Sequence, residues 1–454
     1  MASMVRPRSP SGNHFPNEAE VRRILARRID EQRQSVGIAV GMVAPGERRV
    51  VAYGHFGTHD PRPVDGNTFF EIGSVTKTFT ALLLADMIGR GEVGLDDPVA
   101  MHLPKGMKVP ERAGKAITLA DLASHFSGLP RQSDNMPKRD RANPYADYTT
   151  ELIYEFLSNY ELTRDIGSKW EYSNFGYGLL GHALALRAGC DYETLVRDRI
   201  LAPLGMANTA ITLSGDMRGK LAIGHNASLK AVPNWDLPAL AGAGALRSTA
   251  NDMLTFLEMA LGITETPLLD ALNATLGAPR PIGTDGMSMG LGWLITKSGD
   301  RELISHNGIT AGYRSFVGFM PKSRIGVVAL SNSSTDAGVD DIGQHLLNPE
   351  LPLWTPPKQR IAIEIDPQVY DSYVGRYQLR PAFVLDVRRK GDGLFIQAAG
   401  QRPLEIFPES EREFFCKAVN AQITFEVSGT GEAAALTLHQ NGRHTSALRI
   451  YTGV

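Results

Sequence analysis

The chain is expected to fold as an α/β (α+β) core, an antiparallel sheet with a helical region, followed by a second, smaller all-β domain, barrel or sandwich. Three observations lead there. β-rich runs stand at both ends of roughly the first 350 residues with helical patterns between them, so the terminal segments are expected in one antiparallel sheet. Beyond about Asp366 helical periodicity ceases, and short alternating runs separated by turns take over. Between the two textures lies Leu351-Pro-Leu-Trp-Thr-Pro-Pro357, a linker by its prolines. The expected organisation is a disordered tail over 1–16, a core over 17–349, a linker over 350–366 and a β-domain over 367–454. With 454 residues the chain is also too long for a single ordinary core.

Taken in order, Glu18 to Gln34 reads as an amphipathic helix with Val21, Ile24, Leu25 and Ile29 on one face. Val36 to Val43 and Arg48 to Gly54, broken by Pro45-Gly46, read as a hairpin. The stretch Glu71 to Thr80 passes into Ala81 to Ile88, a run of good helix formers without internal Gly or Pro that Gly89 and Gly91 stop, with Ser74 at or just before the first turn. Thr118-Leu-Ala-Asp121 has the pattern of a capped helix start. Arg131 to Tyr148, polar and charged with Pro137 and Pro144, reads as a long surface loop of the length that lids have. Helices are expected over Thr150–Tyr160, Gly178–Ala188 and Tyr192–Ile200. Ala241 to Ser248 reads as a small-residue loop before a helix capped by Ser248 or Thr249. Strands follow at Leu291–Thr296, Glu302–Ser305, Ser315–Met320 and Ile325–Leu330.

Composition narrows the function. The chain is 43% hydrophobic and 21% charged with a formal net charge of −2, which gives no electrostatic reason to expect nucleic acid or an anionic membrane as partner. Cys190 and Cys416 stand far apart, so neither a disulfide framework nor a metal site is expected from them. No apolar run approaches membrane-spanning length, and the N-terminus lacks an apolar signal core. As written the protein is expected in the cytoplasm; a signal removed ahead of Met4 would place it in the periplasm or outside the cell. No His-Glu-x-x-His, paired Cys-x-x-Cys or phosphate-cradling glycine motif occurs, and no cofactor or metal is expected. Oligomeric state is left open.

The chemistry centres on Ser74, at the start of the apolar helix, and Lys77 one turn on, where side chains are neighbours. A serine hydroxyl needs a base, and burial turns a lysine into one. This is the only Ser-x-x-Lys in the chain, and its helix is too apolar to hold a lysine without a partner. Tyr172-Ser173-Asn174, the only Tyr-x-Asn, offers a phenol for proton shuttling and an amide for a substrate carbonyl. His306-Asn307-Gly308 closes a strand where Gly308 and Gly312 permit close backbone approach to a ligand. Gly286-Met-Ser-Met-Gly290 fits G-x-S-x-G, yet lacks the strand before and the helix after that a nucleophile elbow requires.

Ser74-x-x-Lys77, Tyr172-x-Asn174 and His306-x-Gly308, in this order, resemble the serine β-lactamase and penicillin-binding-protein superfamily, in the branch of class C β-lactamases, D-aminopeptidases and family VIII esterases. The likeness spans roughly residues 20–345 and includes Leu95-Asp-Asp-Pro-Val99 and His125-Phe-Ser-Gly-Leu-Pro130. The tail from Tyr373-Val-Gly-Arg-Tyr377 resembles the lipocalin-like β-domain that often follows this core. The resemblance implies a β-lactamase/transpeptidase-like fold and an acyl-enzyme mechanism. In it Ser74 attacks, Lys77 and Tyr172 move protons, Asn174 orients the acyl amide, and the Ser74 and Ile309 N–H groups form the oxyanion hole. His306 and Gly308 take the place of the substrate-binding strand motif. His306 departs from the lysine usual in β-lactamases and transpeptidases, and a mostly neutral histidine is a poor anchor for a carboxylate. The resemblance therefore implies a peptidase or amidase on small, D-residue-containing peptides or amides. The alternatives are a carboxylesterase, or a β-lactamase or penicillin-binding protein of slow turnover. The expected partner is a small molecule or short peptide.

Overall fold

A computed structural model describes residues 14–451 apart from 138, 284–285, 357–359, 381–382, 399–400, 430 and 441–442. Two compact units divide the chain between Trp354 and Thr355. The first five residues of the expected linker thus fall in the first unit, where Leu353 packs on a core cluster.

In the first unit nine strands form one sheet, all pairs antiparallel. The N-terminal hairpin, Gly37–Ala44 with Glu47–Gly57, pairs through its first strand with Ile325–Ser331. Arg314–Met320 and Arg301–Ile309 follow across the sheet. This closes the two ends of the unit on each other, as the sequence leads one to expect. Gly37–Ala44 is buried along its whole length because both faces are covered. Successive side chains point to opposite faces of a strand. Ile38, Val40 and Met42 join the cluster under the Glu18–Ala26 and Asp340–Leu347 helices, while Ala39 and Val43 join the large core shared with Thr76–Gly89 and Ala250–Ala260.

Several expectations need correction. The Glu18 helix ends at Ala26 and continues only as a π-turn, Arg27–Glu31, short of Gln34. Phe15, assigned to the tail, is buried in the core that this helix covers, while residues 1–13 lie outside the described residues. The Asn174–Ala188 helix starts four residues before Gly178, because the Ser173 hydroxyl caps it by accepting from Gly176 N–H. Ala241–Gly244 is a helical turn rather than a loop, and the following helix is capped by Thr249. The Leu268–Leu276 and Asp340–Leu347 helices went unread in the sequence. Thr118 and Asp121 form the expected capping box, and Cys190 is half-buried whereas Cys416 is buried.

The second unit is a closed barrel of eight antiparallel strands, from Gly375–Arg380 to Arg443–Ile450. Alternate residues fill it: Tyr377, Leu385, Val387, Leu394, Phe414 and Phe425 are all buried in one cluster.

Candidate active site

Ser74 lies in a 3-10 turn, Gly73–Val75, that runs into the Thr76–Gly89 helix. It does not cap that helix; no side-chain cap bond is made at either start. Its hydroxyl is instead 3.1 Å from Lys77 Nζ. Lys77 is fully buried, and Nζ also donates to Asn174 Oδ1 (2.9 Å) and to the carbonyl of Ala243 (2.5 Å). Burial, with Arg131 adding to it, pushes the amine well below its ordinary pKa. A neutral amine has two N–H donors and one lone pair. In that form two carbonyl-type acceptors take both donors and the lone pair is left for the Ser74 O–H, whereas as an ammonium the same nitrogen donates to Ser74 Oγ.

This arrangement depends on glycine. The Ala241–Gly244 turn reaches Lys77 because it packs backbone to backbone on the Asn174–Ala188 helix: a Cβ on Gly181 would lie 2.9 Å from the Gly242 Cα. Gly308 does the same for the sheet. A Cβ there would lie 2.0 Å from the Ile72 carbonyl oxygen and 2.3 Å from Ser315 Oγ, so only glycine lets the Arg301–Ile309 strand seat against the Ser74 turn. Ser315 Oγ donates to that same Ile72 carbonyl at 2.7 Å.

Tyr172 sits across from the pair. Its ring lies 4.9 Å from Lys77 Nζ and 5.1 Å from the Arg131 guanidinium. Burial raises the phenol strongly, while Ser74 and Arg131 favour its ionised form. His306, on the neighbouring strand, is buried and driven from 6.5 to about 3, first by burial and then by Lys77. It is therefore neutral. Its Nδ1 faces the Asn307 carbonyl at 2.7 Å and must carry the proton, so Nε2 is an acceptor. Ser74, Asn174 and Ile309 share a narrow cleft of about 20 Å³ with Gly73, Tyr145 and Trp235. Tyr172 and His306 border a separate cavity of about 710 Å³. All seven residues singled out in the sequence thus converge on one locality, whereas Ser288, on the Met287–Met289 strand two strands from His306, lines neither space.

The sequence reading missed five residues around the site. Arg131, the first residue of the stretch read as a surface loop, brings positive charge to Tyr172. Tyr145 and Tyr148, inside the stretch read as a surface loop, are buried, and Tyr145 walls the Ser74 cleft. His125 stacks on Tyr172 at 4.4 Å and accepts the Ser173 N–H at 3.0 Å, with a backbone φ of 64°. Asp340 borders the larger cavity. Only His125 had a local signal, the His-Phe-Ser-Gly-Leu-Pro stretch.

Comparison with known proteins places this geometry in context. The family described as Beta-lactamase matches residues 21–348, and a domain of unknown function (DUF3471) matches residues 359–448. Penicillin-binding protein 4* of Bacillus subtilis is 26% identical over 423 residues, covering 88% of this chain and 91% of the relative. The D-alanyl-D-alanine-carboxypeptidase/endopeptidase AmpH of Escherichia coli is 27% identical over 314 residues, 66% of this chain and 80% of its own. The crystal structure of a beta-lactamase/D-alanine carboxypeptidase from Yersinia pestis, complexed with citrate, superposes with a TM-score of 0.61 at 27% identity, over 70% of this chain and 94% of that one.

Proposed function

The chain belongs to the Beta-lactamase family of serine hydrolases, and on that premise we propose that it cleaves small peptides or amides, including those with D-residues, through an acyl-enzyme on Ser74. The observation that carries the reading is the fully buried Lys77 amine, 3.1 Å from Ser74 Oγ and otherwise hydrogen-bonded to Asn174 Oδ1 and the Ala243 carbonyl. Ser74 Oγ attacks the substrate carbonyl carbon as its proton passes to Lys77. The Ser74 and Ile309 N–H groups receive the oxyanion, and the Asn174 side-chain N–H₂ orients the acyl part. The carbon–nitrogen bond breaks as the amine takes a proton from Tyr172, which Lys77 reprotonates. Water, deprotonated by the same pair, then releases the acid and restores Ser74. The neutral His306 supports substrates without a carboxylate at the cleaved end, and so disfavours β-lactams and carboxypeptidase work. It suits an ester equally well, which makes carboxylesterase the second reading.

A fluorophosphonate adduct located by peptide mass spectrometry is expected at Ser74; labelling elsewhere refutes the assignment. Comparing kcat/KM for D-Ala-p-nitroanilide, p-nitrophenyl butyrate, a D-Ala-D-Ala peptide and nitrocefin tests the substrate class. Nitrocefin turnover far above the others would refute it.

A further inference from the structure

The two spaces around Ser74 differ in size and chemistry. The cleft with Ser74, Asn174 and Ile309 holds about 20 Å³, little more than one water requires, and Tyr145 packs edge-on against Trp235 at 5.2 Å across it. The space beyond Tyr172 is about 710 Å³. Its walls are Phe126, Trp170, Ile282, Met287, Met289 and Leu294. The group that protonates the leaving atom borders this larger space, whereas the oxyanion donors border the smaller one. The leaving group therefore faces the apolar cavity.

The polar groups in that cavity include acceptors without a paired cation. His306 Nε2 is an acceptor. Asp340, at the start of the Asp340–Leu347 helix, binds Asn307 Nδ2 through Oδ2 at 2.6 Å, while Oδ1 is buried without a partner. Burial raises the Asp340 carboxyl above its ordinary pKa, opposed by the Asn307 bond and by Arg314, which makes no ion pair to it among the described residues. Gln344 also borders the space, and Lys169 is exposed at its edge. The unpartnered Trp170 indole N–H is a neutral donor and offers a place for a carbonyl or ether oxygen. A buried, unpaired carboxylate oxygen is costly unless a ligand supplies a donor.

We propose that this cavity is the leaving-group site and that it selects a large apolar leaving group bearing an ammonium, held by Asp340 Oδ1 and the His306 acceptor, and rejects one bearing a carboxylate. The assignment rests on the acyl-enzyme reading above and adds the chemistry of the departing half of the substrate.

Primary alkyl acetates test it, because the acetyl group suits the narrow cleft and the substituent is remote from the reacting carbon. The series is ethyl acetate, 3-phenylpropyl acetate, and the 3-phenylpropyl ester with a para aminomethyl or a para carboxylate. Acid release gives kcat/KM, and intact-mass detection of acetyl-Ser74 with p-nitrophenyl acetate reports the acyl-enzyme separately. The phenylpropyl ester should exceed the ethyl ester by about threefold to fourfold for each methylene equivalent buried. The aminomethyl ester should exceed the carboxylate by about 10- to 100-fold. Asp340→Asn, checked for folding by its melting curve, should remove most of that preference. A carboxylate ester equal to or better than the aminomethyl ester, no gain with size, or a preference that survives in folded Asp340→Asn overturns the proposal. If Asp340→Asn does not fold, the wild-type series decides alone. Absence of acetyl-Ser74 would instead overturn the acyl-enzyme reading.

Discussion

Replacing Lys77 by methionine separates the chemistry of this lysine from its packing. Methionine keeps an unbranched apolar stem of similar length and removes only the amine. Two buried acceptors, Asn174 Oδ1 and the Ala243 carbonyl, then lose their donor, at a cost of about 1–3 kcal/mol each. A second contribution has the opposite sign. The Lys77 amine is held well below its ordinary pKa by burial. The unfolded chain therefore binds this proton up to about pH 10, while the folded chain releases it at a lower pH. That difference destabilises the fold in full below the folded pKa and vanishes as pH rises through the unfolded one. Methionine removes the penalty, most at neutral and acid pH and not at all above about pH 11. The two contributions oppose each other, so the melting temperature at pH 7 should move by only a few degrees, corresponding to about 2 kcal/mol or less. kcat/KM should fall by ~10²–10⁴, the loss typical of removing a general base. Melting curves at pH 6, 8 and 10 and p-nitrophenyl acetate turnover measure both. Near-normal turnover would show that the Ser74 proton goes elsewhere. A collapse of the fold would show that the lysine is a structural strut.

His306 makes a matching statement about acid stability. Its folded value of about 3 against 6.5 means stability is lost as pH falls from about 6.5 toward 3, on the order of 4–5 kcal/mol in full. His306→Gln should therefore flatten the difference between urea midpoints at pH 7 and pH 4; equal acid losses in the two proteins would refute this. At Gly308, alanine would drive a Cβ into the Ile72 carbonyl and Ser315 Oγ. Gly308→Ala should cost about 1–3 kcal/mol by overpacking and, by displacing Ile309 from Ser74, about 10²-fold in kcat. Full activity with an unchanged melting temperature would show that the strand does not seat against the Ser74 turn.

What the sequence determined by itself is what short-range physics encodes. Ser74 and Lys77 are three residues apart, and a 3-10 turn at 73–75 running into the helix at 76–89 brings them together by local geometry. The hairpin at Pro45-Gly46, the capping box at Thr118 and the alternating barrel strands are likewise set by neighbours within a few residues. The ordered motifs sufficed to point to the family that residues 21–348 match. The tertiary structure alone decided their electrostatics. Burial lowers the Lys77 pKa, and a carbonyl 166 residues away and an amide 97 residues away accept its N–H groups. His306 is neutral because the same packing buries it beside that amine. The Asp340 helix was unreadable for a related reason: its apolar residues Ile342, Leu346 and Leu347 follow a polar Ser-Asn-Ser-Ser-Thr run, and only the sheet they cover reveals them as a helical face. Charge states in a cleft depend on what is packed across it, and that is a property of the closed fold rather than of any stretch of chain.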